Sequence, residues 1–238
     1  MGHLVHSEHK YRLLQRRLDQ KAEGAPDSQT LMKILSILFS PEDAELACQL
    51  PHNLTSLETL SDNLKISRNE LNDKLTDMAE RGLLFDIEHR GHRYVSLAPI
   101  VVGFWEFTFM RVRPDMPLKE LAHLFEKYFF ENNCLVPDRG KTQRFRSFVR
   151  EEAIPEYDHA EVLDWERVTH IVSSASAVSV GICQCYHTAQ HLGQACDRPV
   201  ETCLTFNYAA KSLIQNGIAR AITKHEAIDI LEKCKKTG

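Results

Sequence analysis

No stretch of this chain is apolar enough to span a membrane. The longest, Leu97–Met110 (LAPIVVGFWEFTFM), falls well short of the roughly 20 residues a spanning helix needs and contains Glu106, so a buried helix is expected there. The N-terminus, MGHLVHSEHKYRLLQRRLDQ, lacks the apolar centre of a secretory signal and carries basic residues throughout, which predicts a cytoplasmic protein with no membrane partner. Also missing are a phosphate-cradling glycine loop, a serine nucleophile elbow and an HExxH helix, so an independent enzyme is not expected. Charge of one sign is scarce as well. A net charge of −4 argues against general adhesion to nucleic acid or anionic lipid, and any DNA contact would need a local patch. With 43% hydrophobic and 26% charged residues, the 238-residue chain is long enough for one large or two small domains and is not globally disordered.

Cysteine, by contrast, is concentrated. Of seven cysteines, Cys183, Cys185, Cys196 and Cys203 fall within 21 residues, while Cys48, Cys134 and Cys234 lie far apart. An odd number fits a reducing compartment better than a disulfide framework. Cys48 and Cys234 sit on apolar helix faces and read as core thiols.

Four blocks follow from the pattern: an N-terminal arm or helix (1–27), a winged helix-turn-helix (28–98), a helical linker with a basic loop (99–152) and a cysteine-rich domain (153–238). In the second block, Leu31, Ile34, Leu35 and Leu38 have helical spacing, and Pro41 with Glu42 and Asp43 opens another helix. Thr55 with Glu58, and Ser67 with Glu70, form capping boxes for two helices separated by a three-residue turn. Leu83–Glu88 and Arg93–Leu97 alternate around His89-Arg90-Gly91-His92, the pattern of a β-hairpin. Helices followed by such a hairpin are the order of a winged helix.

Between Leu54 and Ala98, eight acidic residues face six basic ones, a poor start for phosphate neutralisation. Arg90 and Arg93 in the wing are the residues placed to reach DNA or a partner. In the third block, Pro117–Glu131 is an amphipathic helix whose Phe125 and Tyr128 read as core. The stretch Pro137–Arg150 is the most basic of the chain, and its Arg144 and Arg146 are further candidate contacts for an acidic partner or nucleic acid.

In the last block Ala177–Ile182 reads as a strand that delivers Cys183 and Cys185 at its end, both pointing one way. Gly193 and Pro199 then supply bends that bring Cys196 and Cys203 back. Thiolates are soft ligands, which favours zinc or an iron–sulfur cluster over magnesium or calcium. The intervals of one, ten and six residues are not the tight pairs of a zinc knuckle and suit a bulkier [4Fe–4S] cube, although zinc stays open. His187 and His191, four residues apart, would share a face if the segment were helical and could replace two thiolates; two polar residues on a surface loop is the simpler expectation.

The run Cys183-Gln184-Cys185, then Cys196-Asp197-Arg198-Pro199-Val200-Glu201-Thr202-Cys203-Leu204-Thr205-Phe206, resembles a group of bacterial and archaeal iron–sulfur proteins related to ferredoxins, in which a winged-helix-like portion precedes a segment of this type. The resemblance covers most of the chain from Ser28 onward and implies [4Fe–4S] binding and redox work, with Cys183, Cys185, Cys196 and Cys203 as ligands. Tyr186 stands where such proteins often carry a basic residue, and the further cysteine clusters many of them have are not within this chain, which would make it a short member or a fragment.

The expected fold class is therefore α+β, mainly helical, with the winged helix-turn-helix followed by a helical linker and a small cysteine-rich α/β domain. The leading functional expectation is an electron-transfer protein that meets a redox partner protein, its winged helix serving to dock or to form a homodimer. The alternatives are a redox- or iron-responsive transcription regulator binding DNA through the winged helix, and a zinc-stabilised interaction protein.

Overall fold

The computed structural model describes residues 2–21, 23–131 and 165–237. Cys134, Arg144 and Arg146, with the whole basic stretch 137–150, lie outside the described residues. Among those described, the chain is α+β and mainly helical, with two small antiparallel three-stranded sheets.

Three helices, α1 (Gly2–Asp19), α2 (Gln29–Leu38) and α3 (Pro41–Gln49), come first. Ser28 caps α2 through the amide of Leu31; Ser40 and Asp43 satisfy each other's amides at the start of α3, with Pro41 at its first position. The two-residue strand β1 (Thr55–Ser56) leads into α4 (Leu57–Leu64). Its cap is Ser56, whose hydroxyl accepts from the amide of Thr59, and not Thr55 as the sequence suggested. Thr55 and Ser56 pair with Val95 and Tyr94, so the strand runs through Ser56 and the helix starts one residue later than expected. Lys65 then adopts φ 57°, closing α4, and Ser67 caps α5 (Arg68–Glu80).

Gly82, at φ +81°, turns the chain out of α5, and a Cβ there would lie 2.7 Å from Cβ of Phe107. Strands β2 (Leu84–His89) and β3 (His92–Leu97) form a hairpin whose two-residue turn, Arg90-Gly91, has positive φ at both positions, the backbone that suits a tight hairpin. The sheet order is β1-β3-β2.

Only part of the expected helix at Leu97–Met110 exists. β3 runs to Leu97, the chain makes an irregular turn through Ile100–Phe104, and α6 spans just Trp105–Phe109. Pro99 fixes the entry to that turn, and a Cβ on Gly103 would press on its ring at 3.0 Å. The segment is buried as expected, with Phe104 and Phe109 fully enclosed. Helix α7 (Leu118–Glu131) lays Leu121, Phe125 and Tyr128 into the same core as Leu14, Leu31, Ile34, Leu71 and Leu75, so its aromatic stripe is core. Thr30 donates to Glu131 at 2.9 Å and Tyr128 to the carbonyl of Pro26 at 3.0 Å, fastening α7 to the N-terminal helices.

After α8 (Trp165–Ser174) the second sheet is built from β4 (Val178–Ile182), β5 (Glu201–Phe206) and β6 (Arg220–Ala221) in the order β5-β4-β6. Helix α9 (Gln184–His191) follows β4, α10 (Asn207–Gln215) follows β5, and α11 (Lys224–Thr237) closes the chain, capped by Thr223.

The two sheets share a small apolar cluster. Ala98, Phe107 and Met110 meet Leu213 and Ile218, and Phe85 of the hairpin and Cys203 of β5 pack against them. The amide of Ile182 donates to the carbonyl of Met110 at 2.9 Å, and a Cβ on Gly181 would meet the Met110 side chain at 2.9 Å. Arg111 donates to the carbonyls of Asn216 and Gly217 at 3.1 and 3.0 Å and also to that of Glu80, gathering the C-terminal ends of α10 and α5 around one cation.

Candidate metal centre

Strand β4 delivers only Cys183 as the alternation argument required. The chain turns into α9 at once, so Cys183 becomes the residue preceding the helix and Cys185 sits in its first turn. The segment Tyr186–Ala195, expected as a loop, is thus helical through His191. This sets the Cys183 sulfur near the amides of Cys185 and Tyr186, the Thr202 side chain and the Cys185 thiol, all of which favour its anionic form, while the Cys185 thiol donates to the side-chain oxygen of Gln184 at 3.4 Å. The Cys185 thiol is the largest influence holding the Cys183 thiol below its ordinary pKa, and burial opposes it. Cys185 moves the other way, chiefly through its interaction with the Cys183 sulfur, then through burial and the negative charge of Cys183. Of the two thiols, Cys183 is the more acidic.

Cys203 comes from β5, where it pairs with Gly181, and its thiol is pushed up to about 11 by burial, with the charges of Cys183 and Glu106 adding to the rise. Cys196 lies exposed on the turn between α9 and β5, where Gly193 at φ 73° starts the bend. The six described cysteines are all unpaired.

The donor chemistry fits a soft metal at Cys183, Cys185 and Cys203, which feel one another's charge. Closure of a site is another matter. Among the described residues no three side chains of His, Cys, Asp or Glu converge closely enough to hold a metal ion, and Cys196 stands apart.

Two neighbours were not legible in the sequence. Glu106, which there only interrupted an apolar run, is half-buried and raised to about 7, mainly by desolvation, while its carboxylate accepts from the amide of Gly103 at 2.8 Å. Its charge reaches both Cys185 and Cys203. Cys234, half-buried on α11, feels the charge of Cys183.

The histidines also depart from expectation. His187 is 7% exposed, not on a surface loop: its Nδ1 lies 2.7 Å from the carbonyl of Phe109, and its Nε2 is 3.2 Å from Nε2 of His191.

Of the arginines singled out as contacts, Arg90 is exposed at the hairpin tip. Arg93 is committed to the interior. It donates to both carboxylate oxygens of Asp86, at 3.0 and 2.8 Å, and to Asn72 and Thr76 of α5. Beside them, His89 meets Tyr208 of α10, ring against ring at 5.8 Å, with the Tyr208 hydroxyl 3.3 Å from Nδ1.

No known protein family, curated protein or solved structure matches the chain.

Proposed function

We propose that the protein binds a [4Fe–4S] cluster through Cys183, Cys185, Cys196 and Cys203 and carries single electrons to or from a partner protein. The feature that supports this most is the position of Cys183 immediately before α9, where the amides of Cys185 and Tyr186, the Thr202 side chain and a second thiol favour its anionic form. Hydrogen bonds to sulfur favour the anionic ligand and raise the potential of a cluster it holds. When bound, the cluster would supply a one-electron couple. The protein's own part is to hold Cys183 and Cys185 at the start of α9 and Cys203 on β5, and to keep Cys196 toward solvent, where a partner can approach. In this reading α4, α5 and the β2–β3 hairpin form a winged helix used for docking or for a homodimer.

A regulator that binds DNA is the second reading, favoured by one contact: the hairpin touches the cysteine-rich half through His89 and Tyr208, so a change at the cysteines has a path to the wing. Of its two arginines only Arg90 is free to meet phosphate.

The test is iron, acid-labile sulfide and zinc content of anaerobically purified protein, with the visible spectrum, for the wild type and Cys196→Ala. About four irons and four sulfides per chain, lost in the variant, are expected. One zinc without sulfide would withdraw the redox reading and leave an interaction protein stabilised by zinc.

A further inference from the structure

Helix α9 carries a second set of ligand-type side chains, one turn beyond the thiols. His187 and His191 are four residues apart on one helical face, and their Nε2 atoms are 3.2 Å from each other. The state of His187 follows from its other nitrogen. A carbonyl can only accept, so Nδ1, 2.7 Å from the oxygen of Phe109, bears a proton, and in the neutral ring Nε2 presents a lone pair. That is the arrangement by which a backbone carbonyl orients a metal-binding imidazole. The ring is further fixed edge-on against Phe109, with centroids 5.9 Å apart and planes at 88°.

Without a metal, the only way to satisfy two Nε2 atoms at this distance is a proton between them, donated by His191 to His187. A metal ion can take that proton's place. With bonds of about 2.0–2.1 Å to imidazole, two ligands of one ion stand roughly 3.0 Å apart at an octahedral angle and 3.3–3.4 Å apart at a tetrahedral one. The separation of 3.2 Å falls between these values.

We propose that His187 and His191 form a two-imidazole site for a divalent, imidazole-preferring transition metal such as zinc, separate from the thiols and completed by water. Among the described residues no third protein ligand converges on the pair, so the affinity is modest and the ion exchanges. His191 is only half-buried and gives access from solvent, whereas His187 is enclosed. Burial, then the field of a charged His187, then that of Lys119 oppose a positive charge on His191. Binding is balanced without a net proton change when both rings are neutral: the His191 proton leaves Nε2 for Nδ1 as the ion takes the Nε2 lone pair.

This proposal does not rest on the iron–sulfur reading. Its test is zinc titration of full-length protein with ¹⁵N-labelled histidine, following ring-nitrogen resonances, alongside zinc stoichiometry in the wild type and His191→Ala. The expected result is a shift of both Nε2 signals, a switch of His191 from the Nε2–H to the Nδ1–H tautomer, and one zinc fewer per chain in the variant. Lys119→Met should tighten binding by several-fold. Ring signals that ignore zinc, or equal stoichiometry in both proteins, would show that the pair is an imidazole–imidazole hydrogen bond only. The wild-type spectrum decides this even if the variant folds poorly, and zinc held by thiols alone leaves the histidine nitrogens unmoved.

Discussion

Glu106 is a carboxylate in a place that disfavours its charge. Burial raises it to about 7, and one hydrogen bond from the amide of Gly103 offsets only part of the cost. Because its folded pKa lies above the unfolded value, the stability tied to its neutral form is complete below about pH 4.5 and is lost as pH rises toward 7. In metal-free protein, Glu106→Gln should therefore match the wild type at pH 4 and exceed it at pH 8, by up to about 3 kcal/mol, as read from urea midpoints. An equal difference at both pH values would mean that the charge is not what costs stability. Nothing in the sequence distinguished this residue, since periodicity marks which positions are buried and not which polar atoms they face. The histidines were closer to legible: their four-residue spacing carried the right idea, but whether the segment was helical depended on how β4 ended.

At the level of elements, the hairpin is fastened to α5 by one side chain. Arg93 bridges Asp86 of β2, itself 1% exposed, to Asn72 and Thr76 of α5. Arg93→Ala leaves that carboxylate buried and alone, and should cost about 3–5 kcal/mol in chemical denaturation. Replacing both charged partners by apolar residues of similar volume should recover most of the loss. A drop below about 1 kcal/mol in the single variant would place Arg93 among exposed surface charges, free for a partner after all. The helices and hairpin here were readable because caps, apolar spacing and a turn glycine act locally. Two assignments failed where a longer-range contact decided: pairing with β3 runs through Ser56 and moves the cap there from Thr55, and Leu97–Met110 broke at Pro99 because β3 continued to Leu97.

Across the whole molecule, the cysteine-rich half has only a small cluster of its own, Val172, Ala175, Val178 and Ala227, and leans on the first half for the rest. Leu213, Ile218 and Cys203 rest on Phe85, Ala98, Phe107 and Met110, about a hundred positions earlier in the chain, and Arg111 holds α5 and α10 together. Residues 165–238 expressed separately should accordingly show no cooperative unfolding transition by circular dichroism, whereas the full chain should show one. A sharp transition in the fragment would establish an autonomous unit. None of these pairings was visible from spacing, because contacts between distant segments leave no local periodicity.

The seat of Gly181 on Met110 bears on inheritance as much as on folding. The amide of Ile182 and the missing side chain of Gly181 fit a surface supplied by α6 and its exit, not by the cysteine segment itself. A recombination event that copied 177–206 into another protein would transfer the four clustered thiols yet leave behind the floor on which their strand rests. The segment is not a portable cassette, and selection on its cysteines must act jointly on residues near 82–111.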